Sequence, residues 1–193
     1  MVRSVCVFLA SSLEVPEPHK TLARNTGEAI ARAGLTLVYG GASRGLMGVM
    51  ADAALAAGGR VVGVIPPQLV ERELVHRGLT ELVMVRSMHE RKAEMTARSD
   101  AFAVLPGGFG TLDEAFEALT WRLLGLHGKP IVFVDPPGLP YWPPLLDFVA
   151  GAVETGTIRA AHARLIEHVE GAQALLARLR DEPAHPERPP GWV

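Results

Sequence analysis

Residues 106–114 concentrate the chemistry of this chain: Pro106-Gly107-Gly108-Phe109-Gly110-Thr111-Leu112-Asp113-Glu114. Before them, residues 101–105 form an apolar run with the length of a buried strand. After them, Ala115, Phe116, Leu119 and Leu123 recur at helical spacing, so a helix is expected from Thr111. Glycine lets a backbone approach a ligand closely and reach positive φ. The free N–H groups at a helix start favour an anion. Strand, glycine turn and helix start together make a cradle for phosphate. Glu114 falls one turn into the helix, beside whatever the cradle holds, and the helix dipole favours its ionised form. An ionised carboxylate there suits a base or the stabiliser of a cation. Two plainer readings stand beside this one. The glycines can form a tight turn and nothing more. Thr111-Leu112-Asp113-Glu114 also matches the capping box S/T-x-x-E, in which the glutamate only satisfies a backbone N–H.

A second group of candidates lies in Met88-His89-Glu90-Arg91-Lys92-Ala93-Glu94-Met95. On a helix, positions 88, 91, 92 and 95 share one face, so two methionines stand with two cations. Arg91 is the natural clamp for a phosphate or ribose; the plainer reading has both cations snorkelling over core methionines. Gly40-Gly41-Ala42-Ser43-Arg44-Gly45 is a second glycine turn, and Glu73 and His76 stand in a polar connection where surface charge is the plainer account. Neither glycine turn is a G-x-G-x-x-G dinucleotide fingerprint, and no G-x-x-x-x-G-K-[ST] is present. The seven histidines have no H-E-x-x-H or similar spacing, so no metal site is expected.

These residues need strands and helices to place them. Strands are expected at 2–9, 35–39, 60–65, 82–85, 101–105, 130–134 and 164–169. Helices are expected at about 16–33, 46–57, 88–98 (capped by Ser87), from 111, at 145–153 and at 172–179, with residues 68–78 partly helical. Strands alternating with helices predict an α/β fold: a Rossmann-like doubly wound parallel sheet with helices on both faces. Such sheets bind ligands at the carboxyl ends of strands where strand order reverses. Both glycine turns and the Ser11-Ser12 turn fall at such ends and are expected to converge on one crevice.

The 193 residues suit one domain over 1–180, followed by a proline-rich tail at 181–193. The chain is 48% hydrophobic and 21% charged with a net charge of -2, which supports a substantial core and argues against nucleic acid or membrane as partner. Cys6, the single cysteine, excludes an internal disulfide and reads as a buried inert thiol. Residues 2–10 are too short and too quickly followed by charge and proline for a signal peptide, so a cytoplasmic protein is expected. Residues 115–126, with Trp121, Leu123, Leu124 and Leu126 and few polar residues beyond Glu117 and Arg122, form an apolar helix expected to meet a second copy in a homodimer.

Together these residues resemble the Lonely Guy family, the cytokinin riboside 5′-monophosphate phosphoribohydrolases. The pattern P-G-G-x-G-T-x-x-E is met by residues 106–114 and M-H-E-R-K-x-x-M by residues 88–95. Further matches are Leu37-Val38-Tyr39-Gly40-Gly41, Gly45-Leu46-Met47-Gly48, Gly63-Val64-Ile65-Pro66, Glu73 with His76, Leu79-Thr80-Glu81-Leu82 and Leu119-Thr120-Trp121, so the resemblance covers roughly residues 4–170. It implies hydrolysis of the N-glycosidic bond of a nucleoside 5′-monophosphate, such as AMP or its cytokinin analogues, to an adenine-type base and ribose 5-phosphate, with no metal or redox cofactor. It implies Arg91 and Glu114 as catalytic pair and Gly108, Gly110 and Thr111 as phosphate loop, with Gly107 beside them as a further substrate-binding position. It also implies substrate contacts at Ser11, Gly41, Glu73, Met88, Lys92 and Thr120, and a homodimer. Two positions depart from the family pattern: Ala10 stands where a glycine is usual, and Ala42 replaces a third glycine, each adding a methyl expected near the crevice. Three rivals remain. One is an AMP nucleosidase without cytokinin preference, and another a non-catalytic nucleotide or cofactor carrier. The third is the lysine decarboxylase label that members often bear, which needs a Schiff-base lysine for pyridoxal phosphate. The only lysines, Lys20, Lys92 and Lys129, have no convincing setting for one.

Overall fold

The computed structural model describes residues 1–70 and 75–180. The apolar runs become strands and the amphipathic runs between them helices: β1 (Ser4–Phe8), α1 (Glu17–Arg32), β2 (Thr36–Tyr39), α2 (Gly45–Ala56), β3 (Val61–Ile65), α3 (Pro67–Val70), β4 (Glu81–Met84), α4 (Met88–Ala97), β5 (Ala101–Val104), α5 (Phe109–Leu123), β6 (Ile131–Asp135), α6 (Pro143–Glu154), α7 (Ala160–Ala163), β7 (Ile166–Glu170) and α8 (Gly171–Arg180). The seven strands form one sheet in the order β4-β3-β2-β1-β5-β6-β7, and every neighbouring pair is parallel. Val5 of β1 sits opposite Leu37 on one side and Ala101 on the other. Strand order therefore reverses between β1 and β5, as a doubly wound fold requires.

Each central strand is buried on both faces, which is why it reads as a continuous apolar run and not as an alternation. Val5, Val7, Leu37, Tyr39, Ala101 and Ala103 pack against α1, α2 and α8. Cys6, Phe8, Val38, Phe102, Val104 and Phe133 pack against Met95 of α4, Ala115 and Ala118 of α5, and Trp142 before α6. Edge strand β4 alternates instead, with Leu82 and Met84 facing solvent. Among the described residues no helix is long and apolar enough to cross a membrane.

The elements fall where the sequence places them, with three corrections. Helix α5 starts at Phe109, two residues before Thr111, and Gly108 is its N-cap. The Leu112 N–H donates to the Gly108 carbonyl at 3.0 Å and closes this earlier turn. A glycine at the second helical position reads as loop in a sequence, but a first turn tolerates it because the turn has few intrahelical bonds to weaken. At its other end α5 stops at Leu123, so Leu124 and Leu126 lie beyond the helix. Helix α6 begins at Pro143, two residues earlier than expected, because proline fits the first turn of a helix. The short helix α7 was not anticipated.

Candidate active site

The loops after β1 and β5 lie side by side at the point of strand-order reversal. Ala10 N–H donates to the Pro106 carbonyl at 3.2 Å, and Leu105 N–H to the Phe8 carbonyl at 2.9 Å. Between them opens a crevice of about 270 Å³, and Ser11, Arg91, Gly108, Gly110, Thr111 and Glu114 all line it. Six positions from three separate stretches of sequence thus meet in one place. A larger groove of about 920 Å³ lies between α1 and α8. It holds neither glycine loop nor Arg91 nor Glu114, so its size carries no chemical meaning here.

The cradle is built from the start of α5. Its first-turn N–H groups belong to Phe109, Gly110 and Thr111, which have no partner four residues back, and all three residues border the crevice. The expectation of positive φ at this loop does not hold: positive-φ glycines include Gly41 and Gly45 of the second turn but none of Gly107, Gly108 and Gly110. Space, not backbone hand, explains Gly107, where a Cβ would stand 2.0 Å from the Thr111 hydroxyl oxygen. Thr111, 3% exposed, packs its side chain onto the bare Gly107 backbone. The capping box also fails here. Thr111 is the third residue of the helix and not its cap, so Glu114 lies in the second turn, half-buried and on the crevice. Beneath it, Cys6 is fully buried; burial pushes its thiol well up, and the Glu114 carboxylate adds to that. Both effects disfavour the thiolate, the reactive form of the group.

Arg91 enters from the opposite wall and is 4% exposed. Its Nε donates to the Val64 carbonyl at 3.0 Å and its Nη2 to the Gly40 carbonyl at 2.8 Å, while Nη1 lies 3.9 Å from Met88 Sδ. A guanidinium stays charged in any protein setting. Burying one costs several kcal/mol before its partners offset the loss, so this placement is not that of a surface cation. Gly40 makes room for it: a Cβ there would sit 2.1 Å from Arg91 Nη2. The second glycine turn therefore serves the crevice through Arg91 and not as lining.

The other described sequence-derived positions, Gly41, Met88, Lys92, Gly107 and Thr120, are not among the residues that line the crevice. Gly107 is buried behind the loop. Gly41 accepts the His76 N–H at 2.9 Å. Met88 is exposed at the start of α4. Lys92 bridges to α5, with Nζ 3.1 Å from both Asp113 and Glu117. Burial alone would lower the Lys92 pKa, but its hydrogen bonds to Glu117 and Asp113 outweigh that and raise it. Thr120 lies on the exposed face of α5, its hydroxyl donating to the Phe116 carbonyl at 2.7 Å; it stands about 9 Å along the helix axis from Glu114 at 1.5 Å rise per residue. Glu73 and the proline-rich tail fall outside the described residues. His76 reaches Asp52 (Nε2 to Oδ1, 2.9 Å) and accepts the Gly78 N–H on Nδ1. Of the two departures, Ala10 lines the crevice. Ala42 does not: it is buried in the core, its carbonyl accepting the Tyr39 hydroxyl.

Sequence reasoning missed Leu9, Met47 and Phe109 as lining residues. Phe109 is 94% exposed at the crevice mouth, an unusual position for a phenylalanine, and its place inside P-G-G-x-G was the one available signal. No lysine is among the crevice-lining residues: Lys20 pairs with Glu17, Lys92 with its two carboxylates, and Lys129 donates to the Thr96 carbonyl. Among the described residues no group of three or more His, Cys, Asp and Glu is placed to hold a metal ion.

Residues 47–179 match the family model described as "Possible lysine decarboxylase". A cytokinin riboside 5′-monophosphate phosphoribohydrolase of Rhodococcoides fascians is 47% identical over 178 residues, covering 90% of this chain and 89% of that one. Its namesake from Arabidopsis thaliana is 40% identical over 179 residues, covering 93% and 83%. Among solved structures, the molybdenum cofactor carrier protein of Chlamydomonas reinhardtii superposes with a TM-score of 0.70 at 20% identity, covering 93% of this chain and 97% of that one. The molybdenum cofactor binding protein of Rippkaea orientalis gives 0.69 at 18%, covering 93% and 96%. At those identities the two structures share the fold alone. The sequence matches go further: the chain belongs to the family of the cytokinin riboside 5′-monophosphate phosphoribohydrolases, whose family model carries the lysine decarboxylase description.

Proposed function

We propose that this crevice hydrolyses the N-glycosidic bond of adenine-type nucleoside 5′-monophosphates, releasing the free base and ribose 5-phosphate. The observation that carries the reading is the meeting of Arg91, Glu114 and the first turn of α5 in one crevice at the strand-order reversal. Breaking the bond builds positive charge on the ribose. A carboxylate beside the sugar stabilises that charge or takes a proton from the attacking water, as in sugar hydrolases. Glu114 has this role. The N–H groups of Phe109, Gly110 and Thr111 take the phosphate. Arg91, held by two carbonyls, offers its charge to the ribose phosphate without first having to be ordered. Ser11 lines the same space, and Met88 and Gly41 adjoin it through Arg91 and the second turn. Lys92 ties α4 to α5, and with Thr120 and Glu73 it completes the set of substrate-contacting candidates. The named activity of the relatives favours a cytokinin nucleotide over plain AMP, and Ala10, whose methyl reaches the crevice, is where base preference can be tuned.

The test is release of free base from a panel of nucleoside 5′-monophosphates, with AMP, isopentenyladenosine monophosphate and the matching free nucleosides side by side. Turnover is expected only with the 5′-phosphate. Equal turnover of the free nucleosides would remove the phosphate cradle from the reading.

A homodimer is part of the proposal. Phe116 on the outer side of α5 and Leu124 just past its end are exposed, and Leu126 beyond them and Phe148 of α6 are each 68% exposed. So much exposed apolar surface on neighbouring elements suits a second copy. Sedimentation at micromolar concentration should find twice the chain mass; a monomer alone would count against it. A cytoplasmic setting belongs to the same reading, supported by the unpaired and buried Cys6.

A further inference from the structure

Tyr141 lies outside the crevice, yet it holds the loop that forms it. Its hydroxyl donates to the Gly107 carbonyl at 2.7 Å across 34 residues of sequence. The peptide unit joining Gly107 to Gly108 is planar and trans, so its carbonyl and its N–H point in opposite directions. Turning the Gly107 oxygen to Tyr141 therefore turns the Gly108 N–H away from Tyr141, toward the crevice that Gly108 lines. Gly108 is also the N-cap of α5, whose N–H adds to the donors at the helix start. A peptide between two glycines has no Cβ on either side to resist rotation. Turned over, it would present a carbonyl oxygen to an anion.

Tyr141 is itself firmly placed. Its N–H and that of Trp142 donate to one oxygen of Asp135, at 2.9 and 3.1 Å. Asp135, at the end of β6, is 1% exposed, and its other oxygen meets His168 Nε2 of β7 at 2.8 Å. The Tyr141 ring stands edge-to-face with His19, centroids 5.5 Å apart, and with Trp142 at 4.8 Å. Two outer strands and the first turn of α1 thus fix the position of one hydroxyl, and that hydroxyl fixes one peptide of the cradle.

We propose that Tyr141 is a positioning residue for substrate phosphate: it latches the Gly107–Gly108 peptide in the orientation that aims the Gly108 N–H at the anion. This rests on the reading of the loop as a phosphate cradle. The test is Tyr141→Phe, which keeps the ring and its packing and removes only the latch. The phosphate is bound alike in ground and transition states, so KM should rise with kcat nearly unchanged. One lost hydrogen bond corresponds to about a 3- to 10-fold increase in KM and in the inhibition constant of inorganic phosphate. The melting temperature should stay close to wild type. In wild-type protein, the Gly108 amide proton should move downfield in an NMR titration with AMP, and in Tyr141→Phe this shift should shrink. That readout needs no turnover. An unchanged KM and phosphate constant in a folded, active variant would sink the latch and leave the hydrolase reading intact. A lowered kcat at unchanged KM, or no Gly108 shift in wild type, would also sink it. Wild-type protein that binds neither AMP nor phosphate would overturn the latch and the cradle together.

Discussion

The chain carries the pattern S/T-x-x-E at two helix starts, and the two behave differently. At α4, Ser87 is the N-cap and its hydroxyl accepts the Glu90 N–H at 3.1 Å; Glu90 turns outward to accept the Arg86 N–H at 2.7 Å. Both side chains satisfy backbone at the protein surface. At α5 the glycine loop starts the helix two residues early, so no side chain caps it. Thr111 is driven down onto Gly107, and Glu114 is carried round into the crevice. The same four-residue pattern is a cap where the preceding backbone is ordinary and part of a site where glycine has moved the helix start. The first-turn N–H groups that a cap would have consumed remain for a ligand.

The comparison predicts its largest effect at Glu114. Glu114→Gln keeps the shape and removes the charge and the basicity. Turnover should fall by roughly two to four orders of magnitude, the span expected on losing general acid–base catalysis. AMP should still bind, because the α5 N–H groups and Arg91 remain, and removing a negative charge beside the phosphate favours tighter binding. Free-base release, AMP affinity and melting temperature measured on one preparation decide the matter. Near-normal turnover in a folded, AMP-binding variant would take Glu114 out of the mechanism.

The candidate site was legible to the extent that its parts are local. The P-G-G-x-G-T-x-x-E run is contiguous, and Arg91 stood out because a charge shared a helix face with two methionines. The central sheet was legible for the same reason, since apolar runs ended by glycine, proline or small residues mark its β-strand-to-helix turns. What could not be read is what depends on distance in the sequence. Arg91 meets the Gly40 carbonyl across 51 residues, and Tyr141 meets Gly107 across 34. Neither contact leaves a periodicity. The start of α5 was misplaced because Gly110 has poor helix propensity, and only tertiary packing, Thr111 against Gly107, puts the helix there. Lys92 was read together with Arg91 because both lie on one face. In the structure Arg91 is buried and reaches the Val64 and Gly40 carbonyls, while Lys92 reaches carboxylates of α5.

A smaller effect belongs to the true cap. Ser87→Ala removes the acceptor for the Glu90 N–H and should cost about 1 kcal/mol, or roughly 2–4 °C in melting temperature for a chain of this size. Arg91 follows only four residues later, yet its guanidinium is held by Val64 and Gly40, which do not depend on the cap. Turnover should therefore stay within about threefold of wild type, as a hydrogen-bond-sized disturbance at most would allow. A loss of activity as large as that of Glu114→Gln, in a protein still folded, would mean that the start of α4 sets the geometry of Arg91 and that the two regions are not independent.

The smallest effect belongs to Glu90, the sequence counterpart of Glu114. The Arg86 backbone N–H, followed by the Arg86 side chain, holds the Glu90 carboxyl below its usual range, although the group lies at the protein surface. A carboxylate with a depressed folded-state pKa contributes stability above its unfolded value, about 4.3 for glutamate. That contribution is lost as pH falls through the folded-state value. Glu90→Gln cannot titrate, and its amide oxygen still accepts the Arg86 N–H as a neutral partner. The variant should melt slightly below wild type at pH 7, and the gap should close as the pH is lowered below 4. Turnover should be unchanged at every pH where both are folded. Melting curves at pH 7 and pH 3.5 in low salt check the sign. A gap that widens on acidification would reverse the assignment of Glu90 as a bonded carboxylate. A Glu90→Gln protein with turnover as poor as Glu114→Gln would erase the distinction between a pattern that caps a helix and one that a glycine loop has carried into a site.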